Sequence, residues 1–197
     1  MSSDVLEIQW YGPFGFIGRK EESVFTNQIG NRKGVYLWTI PFQGKYLTYY
    51  VGETGKSFAI RHSQHLESYL TGLYRVYDPD EFLKGKRVLI WGGLWKPERK
   101  NAKTRKEFVD RKEELAPKIS DFVSQFRLFL APIDHGRRIR QRIEAVIASK
   151  LLEQPDVIGE FQDDDIRYWP RRSNEKPIKV KMKFPKPIIG LSEELVV

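Results

Sequence analysis

The chain has 197 residues, 40% hydrophobic and 13% aromatic, so one folded domain with a single core is expected and a disordered chain is excluded. It carries no run of 18 apolar residues and no basic-then-apolar leader, which predicts neither a membrane span nor a signal peptide; zero cysteines exclude disulfides and thiolate metal sites and are compatible with the cytoplasm. A formal charge of +8 favours a polyanionic partner, because such a field attracts phosphates.

In chain order, residues 1–33 mix aromatics, glycines and charges without a clear period and read as an irregular N-terminal arm. GVYLWTI (34–40) and KYLTYYV (45–51) are β-branched and aromatic runs separated by the turn signal PFQG, which predicts a hairpin. From Lys56 to Leu70 the period becomes helical, with Ala59, His62, Leu66 and Tyr69 on one side and Thr54 or Ser57 as the cap. KRVLIW (86–91) reads as a strand closed by Gly92 and Gly93. The charged segment 97–116 reads as a solvated helix ended by Pro117.

FRLFLAPI (126–133) predicts another strand. It leads into the most regular helix of the chain, about 137–153, with an apolar stripe of Ile139, Ile143, Val146, Ile147 and Leu151. From Asp163 a basic C-terminal tail (163–197) alternates charges and prolines, with an edge strand expected in IKVKMKF. The fold class is therefore α/β of the α+β kind: a small mixed or antiparallel sheet built on the hairpin, flanked by helices, in one domain spanning 1–197.

GETGKS (52–57) looks like a phosphate loop, but the spacing G-x-x-x-x-G-K-[ST] puts Tyr50 where the first glycine belongs, so nucleotide binding is not expected. The hairpin instead brings Tyr36 and Tyr50 to adjacent strands. Arg61 and His65, four residues apart, share a face of the helix that follows. Two phenols, a guanidinium and an imidazole then line one pocket.

With GVY at 34–36 and YVG at 50–52, an arginine nine residues on (Arg61), a histidine one turn later (His65) and a glutamate (Glu144) in the helix after a late strand, the sequence resembles the GIY-YIG nuclease superfamily. The likeness covers residues 30–70 and 126–153. It implies a DNA endonuclease that hydrolyses phosphodiester bonds with the help of Mg²⁺ or Mn²⁺. In that resemblance Glu144 is the metal ligand and Arg61 the phosphate clamp. Tyr36 is favoured as general base with Tyr50 as its partner, His65 orients a phenol or moves a proton, and Lys45 adds positive charge.

The same resemblance assigns DNA contacts to Lys56 and Ser57, with Gly52 and Gly55 letting the turn approach the backbone. It carries the family's late asparagine to Asn174, in the proline-flanked tail. Arg137, Arg138, Arg140 and Arg142 are assigned to phosphates because cations at a helix N-terminus oppose its dipole and are poorly explained as stabilisation. The cluster Arg99, Lys100, Lys103, Arg105 and Lys106 reads rather as a solvated face laced with Glu107, Glu113 and Glu114. Residues 71–125 look like an insertion that serves substrate recognition. One active site cutting two strands implies a homodimer or two sequential nicks. The alternative function is a non-catalytic nucleic-acid-binding module with the same fold.

Overall fold

The computed structural model describes residues 5–16, 21–163 and 166–197. Elements follow in the order β1 (Val5–Gln9), β2 (Tyr11–Phe14), β3 (Gly34–Phe42), β4 (Lys45–Thr54), α1 (Phe58–Leu70), β5 (Val76–Tyr77), α2 (Pro79–Leu83) and β6 (Leu89–Trp91). Then come α3 (Ala102–Asp110), α4 (Lys112–Ser124), β7 (Arg127–Pro132), α5 (Arg137–Leu152), α6 (Asp156–Phe161), β8 (Lys179–Lys183) and β9 (Glu194–Val196). The fold is mixed α/β, as expected. Its central sheet is antiparallel, ordered β2-β7-β3-β4, and is accompanied by a three-stranded sheet β1-β8-β9 and the short pair β5-β6.

Alternation along the central strands builds two cores. Tyr36, Trp38 and Ile40 of β3, with Leu128 and Leu130 of β7, face α1, α4 and the 71–125 region. Val35, Leu37, Phe129 and Ala131 face α5 and the β1-β8-β9 sheet, where Ile143, Ile147 and Leu151 bury the predicted stripe. Gly34 is required by this packing, since a Cβ there would lie 1.9 Å from the Ala131 carbonyl oxygen.

The hairpin closes at Gln43 and Gly44, both at positive φ, two residues later than the PFQG signal implied; Pro41 and Phe42 belong to β3. Trp38 pairs with Tyr50 and Thr39 with Thr48, leaving Tyr49 as the extra residue of a β-bulge. Tyr49 and Tyr50 therefore both join the core cluster of Tyr36 and Trp38, and Val51 turns to the α5 side.

Several expectations are corrected. The arm 1–33 contains two strands, β1 pairing in parallel with β8 and β2 completing the central sheet, although residues 1–4 and 17–20 lie outside the described part. The strand in IKVKMKF is the middle strand of its sheet rather than an edge. Helix 97–116 is two helices, α3 and α4, meeting at Arg111, and Pro117 lies inside α4. The burial of Leu115, Ile119, Phe122 and Val123 outweighs the backbone hydrogen bond that proline removes. The strand predicted over 86–91 forms only from Leu89. Among the described residues no helix is long and apolar enough to cross a membrane.

Candidate active site

Ser57 caps α1 by accepting the Ile60 N–H at 3.2 Å, and the helix then buries Phe58, His62, His65 and Tyr69 against the central sheet. His65 thus lies on the core side of α1, next to the phenol of Tyr36, with Tyr36 Oη and His65 Nε2 2.9 Å apart. Arg61, one turn earlier, donates from Nε to the same phenol oxygen at 3.2 Å. Tyr50 completes the group, its ring centroid 5.9 Å from that of Tyr36 and 5.6 Å from that of His65.

Gly52 makes this arrangement possible. A Cβ at that position would lie 2.4 Å from both Cζ and Oη of Tyr36 and 2.7 Å from Cε1 of Tyr50. The glycine of the second motif therefore makes room for the phenols, and the expected close approach of the backbone to DNA is not needed to explain it. Gly55, by contrast, would meet only the end of the Arg140 side chain, at 3.2 Å.

Burial governs the protonation states. The phenol of Tyr36 is fully buried and is raised well above its usual range by loss of solvent and by Tyr50, against a smaller pull from Arg61. Tyr50 is pushed up to about 12, again by burial first, with Arg61 and the Tyr36 hydroxyl drawing it down. Burial, then Arg61 and His62, hold His65 well below the usual imidazole value. It is neutral at pH 7, with Nε2 turned toward the Tyr36 hydroxyl.

Glu144 arrives from the other face of the sheet. It is buried near the middle of α5, and burial followed by the charge of Glu53 raises it to about 8, while the Glu53 backbone, Arg61 and Arg137 pull the other way. Its charge is felt by Tyr50 and by the half-buried Tyr168. Glu53 stands opposite Val35 on the α5 side and is itself held by Arg140 at 3.2 Å and Arg137 at 3.5 Å.

Comparison of the chain with protein-family models, curated proteins and solved structures returns no match.

Four of the expected site residues, Tyr36, Tyr50, Arg61 and His65, are thus brought into contact; Glu144 is linked to them through charge alone, and the others are not placed with them. Lys45 sits at the turn end of the hairpin, opposite Phe42 and seven residues from Gly52, roughly 20 Å at strand rise, so it adds no charge to the phenols. Asn174 is exposed in the tail beside Glu175, the partner of Arg138, and is not placed with the cluster. Lys56 is exposed at the start of the site-side turn, whereas Ser57 is engaged as the cap.

The arginines of α5 are mostly structural. Arg138 pairs with Glu175 and donates to the carbonyls of Trp169 and Pro170. Arg142 is buried and donates from Nη2 to the Lys176 and Val197 carbonyls, both at 2.6 Å. Arg140, also buried, holds Glu53 and the His135 carbonyl. Of the four, only Arg137 keeps a mostly exposed side chain.

Sequence reasoning missed the surroundings of Tyr50. A cavity of about 250 Å³ opens beside it, lined by Arg61 and His65 of α1, by Tyr74 and Trp95 from the region read as an insertion, and by Asp163 and Arg167 from the start of the tail. Tyr36 does not line it. Aromatic residues in both segments were visible in the sequence, but nothing in their spacing ties them to the hairpin.

Proposed function

We propose that the chain is a divalent-cation-dependent DNA endonuclease that hydrolyses phosphodiester bonds at the Tyr50–Arg61 face of the cavity. The observation that carries this reading is the hydrogen-bonded group Arg61–Tyr36–His65, packed over Gly52, with Tyr50 and Arg61 open to a cavity; Glu144 does not line that cavity and is tied to the group through its charge on Tyr50 and Arg61. Packing alone is a poor explanation for a guanidinium held on a buried phenol oxygen.

The donor set fits a Mg²⁺ or Mn²⁺ ion. Such an ion commonly takes one carboxylate and completes its octahedron with water and phosphate oxygens, and a buried carboxylate whose proton affinity is raised by a second acid gains most from a cation. Glu144 would hold it; when bound, the ion would stabilise negative charge on the phosphate and the leaving oxygen. Among the described residues no group of three or more acidic or histidine side chains offers an alternative site.

Arg61 binds the scissile phosphate and meets its added transition-state charge with a guanidinium already oriented by Tyr36. Tyr50 replaces Tyr36 as the phenol that faces the attacking water, because Tyr50 lines the cavity and Tyr36 is fully buried. Tyr36 orients Tyr50 and Arg61. The Tyr36 oxygen takes the Arg61 N–H and lies 2.9 Å from Nε2 of the neutral His65, which fixes the phenol between the two side chains.

Plasmid and oligonucleotide cleavage with Mg²⁺ or Mn²⁺ tests the reading. Wild type is expected to nick or cut, while Glu144→Gln and Arg61→Ala lose about 100-fold or more in rate with DNA binding retained, the range for removing one transition-state contact. Cleavage should rise with pH between 6 and 9 as Glu144 gives up its proton. Binding without cutting across ions and DNA structures would leave a nucleic-acid-binding module in place of an enzyme.

A further inference from the structure

The cavity beside Tyr50 is larger than phosphate chemistry requires and is walled by ring faces. Tyr74 packs edge-on to Tyr69 at 5.2 Å between centroids and against His65 at 5.7 Å, so it is fixed from behind. Trp95 leans on Tyr74 at 6.2 Å, yet 62% of its surface is exposed. An indole so open, on a ring already buttressed by two others, offers a free π face at the mouth of the cavity.

Charge is arranged around those rings in a particular way. Arg61, Arg75 and Arg167 contribute three guanidiniums to the lining, and Arg167 is steadied by lying 4.7 Å over the Trp169 ring. Among the described residues Asp163 is the one carboxylate in the same wall, its backbone N–H donating to the Tyr49 carbonyl at 2.8 Å. Guanidiniums suit phosphates and stack on bases. Rings and cations together match a nucleotide rather than a bare phosphate.

Size then restricts the occupant. At about 250 Å³ the cavity falls just below the ~300–1,000 Å³ of pockets for drug-sized ligands, enough for one planar heterocycle and too small for a base pair. We infer that the cavity receives one unstacked nucleobase of the strand being cut, stacked on Tyr74 and Trp95. The substrate is then single-stranded or locally unpaired at the scissile nucleotide. This rests on the nuclease reading above, because it takes the phosphate next to that base to be the one at Arg61.

An intact duplex would have to unstack and unpair a base first, which disfavours it against a flap, bulge or single strand of the same sequence. Base-on-ring stacking is largely indifferent to sequence, so the preference would be for unpaired structure.

The test uses the full chain and synthetic oligonucleotides: a single strand, its intact duplex, a duplex with a one-nucleotide bulge, and an abasic strand of the same length in which every nucleotide lacks its base. Binding is measured by fluorescence anisotropy in Ca²⁺ and cleavage in Mg²⁺. Wild type is expected to bind the single strand and the bulged duplex more tightly than the intact duplex, and to lose affinity for the abasic strand. Trp95→Ala, at an exposed position where folding is not at stake, should weaken binding of the base-bearing strand on the order of 5- to 100-fold and leave the abasic strand unchanged. Trp95→Phe should recover most of the loss.

An equal effect of Trp95→Ala on both strands, no effect on either, or a preference for intact duplex overturns the inference. So does a free nucleoside monophosphate binding as tightly as the strand, since the occupant would then be a small molecule. Failure of the nuclease reading looks different: the base-dependent binding pattern would persist while no ion supports cleavage.

Discussion

At residue scale the site depends on two backbone features. Gly52 leaves space for the Tyr36 phenol, and the bulge at Tyr49 turns Tyr50 to the same side of the sheet. Gly52→Ala should therefore act on both at once. A Cβ placed 2.4 Å from the Tyr36 ring meets a side chain that cannot yield, being fully buried and tied to Arg61 and His65. Overpacking of this kind costs about 1–3 kcal/mol, visible as a lower midpoint in urea unfolding. Cleavage should fall further than stability, because Tyr36 can give way only by releasing Arg61. Gly55→Ala is the milder comparison; its nearest neighbour is Nη2 of Arg140 at 3.2 Å, which has to shift by only a few tenths of an ångström, and stability should change less than in Gly52→Ala. The two glycines look alike in the sequence, where only the family likeness singled out the first. Its physical reason lies in a ring from the neighbouring strand, which no local pattern records.

At the scale of elements, α5 illustrates how placement can be legible and roles not. The apolar period fixed the helix to within a residue, and Ile143, Ile147 and Leu151 are buried as the stripe required. The arginines at its start looked like a phosphate-binding patch because local sequence cannot show carbonyls returning from residues 169–197. Arg138 and Arg142 take those carbonyls, and the charge that opposes the helix dipole is offset by contacts with the tail. The expected outcome separates the arginines. Arg142→Ala should loosen the tail from α5, lowering the melting temperature and raising hydrogen exchange over residues 176–197, since the Lys176 and Val197 oxygens both lose the Arg142 donor, the second of them in a buried bond. Arg137→Ala, with its side chain 75% exposed, should leave the melting temperature alone. If Arg137 meets a DNA phosphate, that substitution reduces the slope of log binding against log salt by about one. A salt slope changed by Arg142→Ala in the same measure, with the tail still protected, would return that residue to the DNA surface.

For the whole molecule, function and stability meet in groups buried without their charge. The sheet alternation and the two cores could be read ahead because period-2 and helical patterns are local. The meeting of His62 and His65 with the Tyr36 ring, and the burial of Glu144 on the opposite face, could not, since they depend on how α1 and α5 pack on the sheet. His62 is the clearest member. It is fully buried, neither ring nitrogen has a hydrogen-bond partner, and it packs edge-on to the Tyr36 ring at 4.7 Å. Burial, and then the charge of Arg61, lower it to about 3. In the unfolded chain it titrates near 6.5, so between about pH 6.5 and 3 the unfolded state binds a proton that the folded state refuses. Stability must then fall as pH drops through that window, by up to about 1.4 kcal/mol per pH unit for one such group, and His65 acts in the same direction. Glu144 acts in the opposite sense. Its folded value of about 8 lies above the unfolded one, so its contribution is complete below about 4.5 and is lost as pH rises through 8. Thermal melts from pH 4 to 9 should show both limits, and each should be removable by itself. His62→Phe is expected to make the acid limb shallower, with the share of His65 remaining and the alkaline limb unchanged; Glu144→Gln should raise the melting temperature at pH 9 and not at pH 5. Mg²⁺ should stabilise wild type above pH 7 and have no effect on Glu144→Gln. An equal Mg²⁺ shift in both proteins would remove the acid from the metal site without any appeal to activity.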